Sequence, residues 1–159
     1  MLISRFAMLI ILILTVILLA HVTDGCSCAR STLHRHYCNS NNIIRAQVLS
    51  ETRPSDNINA DIYYTVRVFN VYKNANGNFT EGTTVNIWTP GNDGVCKVPL
   101  RVGRNYYLGV AFDPEENKLR IRLCNFWKEE NQLKQCQRKL ISDGAFDCTC
   151  KDPSCFQDC

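Results

Sequence analysis

Asp61-Ile62-Tyr63-Tyr64-Thr65-Val66-Arg67-Val68-Phe69-Asn70-Val71-Tyr72-Lys73 is the stretch on which the fold turns. It is rich in β-branched and aromatic residues and lies between turn formers, so it predicts a long strand. Upstream, Pro54 and Asp56-Asn57 mark a loop, and before that Asn42-Ile43-Ile44-Arg45-Ala46-Gln47-Val48-Leu49 predicts a first strand. Downstream, the turn Asn74-Ala75-Asn76-Gly77-Asn78 leads to a strand over Thr83–Thr89, which Pro90-Gly91-Asn92-Asp93-Gly94 ends. Tyr106–Phe112 is a short apolar strand, and Asp113-Pro114-Glu115-Glu116-Asn117 turns the chain into Lys118–Cys124. There Leu119, Ile121 and Leu123 alternate with Lys118, Arg120 and Arg122, which predicts a half-buried strand with its basic row in solvent. From Trp127 to Ser142 the period changes: Leu133, Cys136 and Leu140 recur at helical spacing, so an amphipathic helix is expected. The expected fold is mainly β: five antiparallel strands in a small closed OB-type barrel, with the C-terminal helix packed on it. A β-sandwich fits the same pattern.

The N-terminus reads as a secretory signal peptide over residues 1–25. Arg5 supplies the positive region, Phe6–Ala20 the apolar run, and His21–Gly25 the short polar segment before cleavage. A cut after Ala20 is the alternative. A retained anchor is not expected, because fifteen apolar residues fall short of the roughly 20 that a spanning helix needs. Cleavage after Gly25 makes Cys26 the first residue of the mature chain. Its free α-amino nitrogen and its carbonyl oxygen can then close a five-membered chelate ring on a metal ion.

Removing 25 residues from 159 leaves 134, enough for one domain with a real core. All ten cysteines fall in that part, and an even number in an exported chain predicts a disulfide framework over zinc-binding thiolates. The formal charge of +3 is small and dispersed, so neither nucleic acid nor a membrane surface is the expected partner. Asn78-Phe79-Thr80 is an N-glycosylation acceptor. His34 and His36 read as exposed loop histidines, and no separated acid–base pair or metal site is built from them. Glu115-Glu116 and Glu129-Glu130 read as a turn and a solvated helix face, and Trp88 and Trp127 as packing. An enzyme is not expected.

Several separate pieces resemble the tissue inhibitors of metalloproteinases, specifically their N-terminal netrin-like OB-fold domain. They are Cys26-Ser27-Cys28 followed by Cys38, then Cys38-Asn39-Ser40 leading into Ile43-Ile44-Arg45-Ala46. Val71-Tyr72-Lys73, Gly94-Val95-Cys96, Cys124-Asn125-Phe126 and Cys148-Thr149-Cys150 follow in order. The resemblance implies the pairs Cys26–Cys96, Cys28–Cys124 and Cys38–Cys148, and leaves Cys136, Cys150, Cys155 and Cys159 with open pairing. It implies an inhibitory domain over residues 26–148, with residues 149–159 a short cysteine-rich tail. Two departures stand out. Arg30 occupies a position where proline is usual, and the second disulfide-rich domain of vertebrate members is not expected here.

The resemblance also implies the chemistry. The Cys26 amine and carbonyl would chelate the active-site zinc of a target protease, and the protein would need no cofactor of its own. Ser27 would enter the mouth of the S1′ pocket, Cys28, Ala29 and Arg30 would line the primed side, and Val95 with Cys96 the unprimed side. Expected partners are secreted zinc metalloproteinases of the matrix type, with the disintegrin type open, met by a monomer in the extracellular space or matrix. A netrin-like matrix module without inhibitory action is the alternative, because one scaffold serves several functions.

Overall fold

The computed structural model describes residues 26–29 and 31–150; the signal-peptide reading, Arg30, Cys155 and Cys159 lie outside the described residues. The long aromatic stretch forms strand β2 (Ile62–Asn74), antiparallel to β1 (Asn42–Thr52) on one side and to β3 (Thr84–Thr89) on the other. Strand β4 (Asn105–Asp113) returns along β1, and β5 (Lys118–Arg120) lies between β3 and β4. The β1–β4 pairing closes these five strands into the expected barrel and sets aside the sandwich that fits the same pattern. Closure leaves unpaired only the stretch of β4 that the short β5 does not reach. Ile62, Tyr64, Val66 and Val68 alternate inward along β2 and are fully buried with Ile44, Ala46 and Val48 of β1. Each Ile or Val among them contributes roughly 1.5–3 kcal/mol on burial. Register shifts at Ile43/Ile44, Arg45/Ala46 and Val48/Ser50 bend β1, which lets one strand serve both β2 and β4.

In β1, Asn42, Ile43 and Ile44 are buried consecutively, so both faces of the strand are covered there. Ile44 fills the barrel, while Ile43 joins a second cluster outside it with Leu33, Tyr37, Tyr107, Phe126, Leu133 and Ile141. Two helices, α1 (Leu33–Asn39) and α2 (Gln135–Ser142), bring Leu33, Tyr37 and Ile141 to that cluster. Among the described residues no helix is long and apolar enough to cross a membrane.

Five expectations need correction. Helix α1 forms where a loop with two exposed histidines was expected. The Thr32 hydroxyl caps it by accepting from the Arg35 N–H at 3.2 Å, and the amphipathic Leu33/Tyr37 pair docks it. The helix expected over Trp127–Ser142 is a short strand, β6 (Trp127–Glu129), a 3₁₀ turn (Glu130–Gln132) and then α2. Trp127–Glu129 pair with the edge of β4 that β5 leaves open. Arg45 then grips Glu130 with two bonds of 3.0 and 3.1 Å, while Asn105 donates to it at 3.0 Å. Tertiary hydrogen bonds thus override a helical period.

Strand β5 stops at Arg120 instead of Cys124. The Asn125 side chain accepts from the Arg122 N–H at 2.7 Å and turns the chain there. The basic row is not all in solvent. Arg120, with 16% of its side chain exposed, meets Asp61 at 2.6 Å, Asp113 at 3.2 Å and Glu116 at 2.6 Å. Finally, β3 and β5 are parallel, whereas an all-antiparallel barrel was expected.

Candidate functional site

The parallel β3–β5 pair decides where the N-terminal segment is held. Ile87 and Trp88 lie beside Leu119 and Arg120 with the chains running in the same direction. The segments that follow these strands therefore emerge at the same end of the barrel. One carries Cys96 and the other Cys124. Cys26 is bonded to Cys96 and Cys28 to Cys124, with Cα atoms 5.5 and 5.4 Å apart. A third bridge, Cys38–Cys148, fastens α1 to the chain beyond α2. These are the three pairs that the family resemblance implies. Cys136 and Cys150 are disulfide-bonded as well, and among the described residues no cysteine is free.

The two bridges flank a single residue, Ser27, which is exposed together with Cys28 and Ala29. Cys26 is half-buried. A backbone pinned on both sides of one residue has little conformational freedom to lose on binding. Beside it, a 3₁₀ turn over Asp93–Val95 presents Val95, a branched apolar side chain that remains 42% exposed. The next residue, Cys96, has φ 68°, an uncommon left-handed conformation for a residue with a Cβ. It reverses the chain so that Val95 faces outward while the Cys96 sulfur meets Cys26. The Asn92 side-chain oxygen accepts from the Val95 N–H at 3.1 Å, and the Asn92 carbonyl accepts from the Lys97 N–H at 3.0 Å.

Behind the Cys28–Cys124 bridge a cleft of about 210 Å³ is lined by Ala29, Ser31, His36, Asn39 and Phe126. His36 stacks on Phe126 with ring centroids 6.1 Å apart. Its pKa is held below the ordinary value of 6.5, first by burial and then by the charge of Lys128. The unfolded chain therefore takes up this proton more readily than the folded one. The associated stability is full above pH 6.5 and is lost as pH falls through 6.5 toward the lower folded value. Thermal melts between pH 7.5 and 5.5 are expected to show a falling midpoint. A His36→Phe variant is expected to flatten that slope; an unchanged slope would reject the assignment.

His34 points the other way, into the second cluster, and is only 4% exposed. Its Nε2–H donates to the Asp147 carbonyl at 2.8 Å, and the ring meets Phe146 edge-on at 5.7 Å. The two histidines thus sit in different environments. Asn78 is half-buried, and its side-chain nitrogen is buried without a hydrogen-bond partner, so a glycan there requires the side chain to swing outward. Among the described residues no group of three His, Cys, Asp or Glu side chains is placed to hold a metal ion. The structural role of Asn92 escaped the sequence reading, in which Pro90–Gly94 only ends a strand. An asparagine within the turn-forming run Pro90–Gly94 was the available signal.

A family model described as tissue inhibitor of metalloproteinase matches residues 24–159. The chain is 30% identical over 135 residues to a Xenopus laevis protein named Metalloproteinase inhibitor 3, a match that covers 84% of this chain and 61% of that one. With the Metalloproteinase inhibitor 3 of Scyliorhinus torazame it shares 28% over 154 residues, 94% of this chain and 69% of the relative. With human Metalloproteinase inhibitor 2 it shares 29% over 161 residues, 95% and 69% respectively. The chain thus spans between three fifths and seven tenths of these relatives' lengths. A family match over nearly all of the chain from Asp24 onward, on a closed barrel with its N-terminal segment bridged at Cys26 and Cys28, shows that the chain belongs to the tissue inhibitor of metalloproteinase family.

Proposed function

We propose that this protein is a secreted inhibitor of zinc metalloproteinases, with Cys26 as the residue that meets the target's metal. The observation that carries the reading is the exposed Ser27-Cys28-Ala29 segment, held by two bridges beside the exposed Val95. Catalytic zinc in such proteases keeps one coordination position for water or substrate. Because the Cys26 sulfur is consumed in its bridge to Cys96, it is not a zinc ligand. After cleavage at Gly25 the α-amino nitrogen and carbonyl oxygen of Cys26 are the available pair, and they displace the zinc-bound water.

Ser27 then projects into the S1′ pocket mouth, where its hydroxyl hydrogen-bonds the catalytic glutamate of the protease. Cys28, Ala29 and Arg30 follow along the primed side, and Val95 with Cys96 covers the unprimed side. No scissile peptide lies at the metal, so the protein inhibits without being cut. Matrix-type proteases are the first targets to examine and disintegrin-type ones the second. The relatives' names, Metalloproteinase inhibitor 3 and Metalloproteinase inhibitor 2, support the inhibitory reading.

The test is inhibition of a matrix metalloproteinase catalytic domain by the purified protein, its first residue established by N-terminal sequencing. An amine must be neutral to bind zinc and has a reference pKa of about 7.7–8.0. Inhibition is therefore expected to weaken as pH falls below neutrality, after correction for the pH dependence of the protease itself. A product that begins at Cys26 and leaves the protease fully active would refute the proposal. Replacing Ser27 by Gly is expected to change the ratio of inhibition constants between two proteases with different S1′ pockets by about tenfold. The melting temperature should not move, because Ser27 is exposed. Equal losses against both proteases would reject the pocket assignment.

A further inference from the structure

The turn that presents Val95 does not stand alone. The loop between β1 and β2 lies directly over it. A Cβ at Gly91 would fall 1.9 Å from the Ala60 carbonyl oxygen and 2.9 Å from that of Ile58, so the loop backbone rests on a glycine that nothing larger can replace in place. Arg53, the first residue after β1, reaches across with both ends of its guanidinium. It donates to the Gly91 carbonyl at 2.7 Å and to the Ile58 carbonyl at 3.2 Å. Asn92 completes the join. Its side-chain nitrogen donates to the Ile58 carbonyl at 3.3 Å and to the side-chain oxygen of Asn59, while its side-chain oxygen accepts from Val95. Further along, Lys97 pairs with Glu51 of β1 at 3.0 Å.

We infer that Asn92 is a positioning residue: held by the β1–β2 loop through its amide nitrogen, it sets the turn that presents Val95 and Cys96 to the target. This inference rests on the inhibitory reading above, which assigns Val95 to the contact surface. Asn92 has one side-chain plane, and both ends of it are used. The two donor bonds hold the amide in the orientation in which its oxygen faces the Val95 N–H. Freeing the loop frees that rotamer, and the Val95 turn gains conformations that must be given up again on binding. Arg53 is exposed and bonds to neither Val95 nor Cys96. It nevertheless acts on them through Gly91 and the Ile58 carbonyl. The turn also keeps backbone bonds from the Val95 and Lys97 N–H groups to the Asn92 carbonyl at 3.3 and 3.0 Å, while the Cys26–Cys96 bridge and the Lys97–Glu51 pair hold its far side.

The experiment uses the full secreted chain and its Asn92→Ala, Arg53→Ala and doubly substituted forms. Inhibition constants against a matrix metalloproteinase catalytic domain are measured together with amide hydrogen exchange of the free proteins. Each single variant is expected to weaken inhibition by about tenfold, the scale of one or two lost hydrogen bonds. The double variant should lose less than the product of the two, because both act through one join. The Val95 amide should exchange faster in Arg53→Ala, a change that no direct contact of Arg53 would produce. If Asn92→Ala fails to fold, Arg53→Ala alone decides. Unchanged inhibition together with unchanged Val95 exchange in Arg53→Ala would overturn the inference, as would losses that multiply. If the parent protein itself does not inhibit, the reading of the previous subsection falls. The exchange of Val95 would then still decide on the join, faster exchange upholding it and unchanged exchange ending it.

Discussion

One alanine added ahead of Cys26, or acetylation of its amine, is expected to weaken inhibition by at least about a thousandfold, roughly 4 kcal/mol. The extension removes the metal ligand twice over: the amine becomes an amide, which does not coordinate zinc at neutral pH, and the added residue occupies the space where the metal must sit. Neither change touches the barrel. The Cys26–Cys96 and Cys28–Cys124 bridges and the β1–β4 closure all lie downstream of the altered atom. Melting temperature and circular dichroism should therefore match those of the parent. An extended protein that inhibits equally well would eliminate the chelation mechanism while leaving the family assignment intact.

Replacing both Cys28 and Cys124 by Ala should have a large effect on stability. The bridge spans a sequence separation of 96, and chain-entropy bookkeeping assigns a closed loop of that size about 4–5 kcal/mol. Calorimetry or a denaturant midpoint measures the loss. Inhibition should fall further than the loss of folded protein accounts for, because Ser27 is then pinned on one side only. Asn125 should still turn the chain after β5, since its bonds with Arg122 do not involve sulfur. The contrast with the extended protein is useful: one variant keeps the fold and loses the metal ligand, while the other keeps the amine and loosens the segment that carries it. Full inhibition by the doubly substituted protein would show that the bridge stabilises without positioning.

The strands of the barrel were legible from local pattern, though their closure was not. The alternation in β2, the turn residues around it and the apolar run of β4 each follow from side-chain period and turn chemistry, and those elements appear within a residue or so of their expected limits. The first strand runs three residues further than expected, to Thr52, where bulges let it continue past Leu49. Trp127–Glu129 misled because a strand of three residues carries no period of its own. Its state is decided by the vacant edge of β4 and by the grip of Arg45 on Glu130. Arg120 misled for a different reason. Alternation assigns it to the outer face, but two carboxylates of the turn just before β5, Asp113 and Glu116, and the distant Asp61 converge on it there.

Cys26-Ser27-Cys28 and the ordered motifs that follow it, from Cys38-Asn39-Ser40 to Cys148-Thr149-Cys150, are properties of the chain alone, and they carried the resemblance to an inhibitor family. What the linear order could not convey is that β3 and β5 run parallel, so that the segments bearing Cys96 and Cys124 leave the same end of the barrel and grip one residue between them. Nor could it convey that Asn92 and Arg53 join two loops nearly forty residues apart. Period, capping and turn chemistry act over a few neighbouring residues and can be read in sequence. Strand direction, edge pairing and long-range hydrogen bonds compare energies between segments that meet only when the barrel closes.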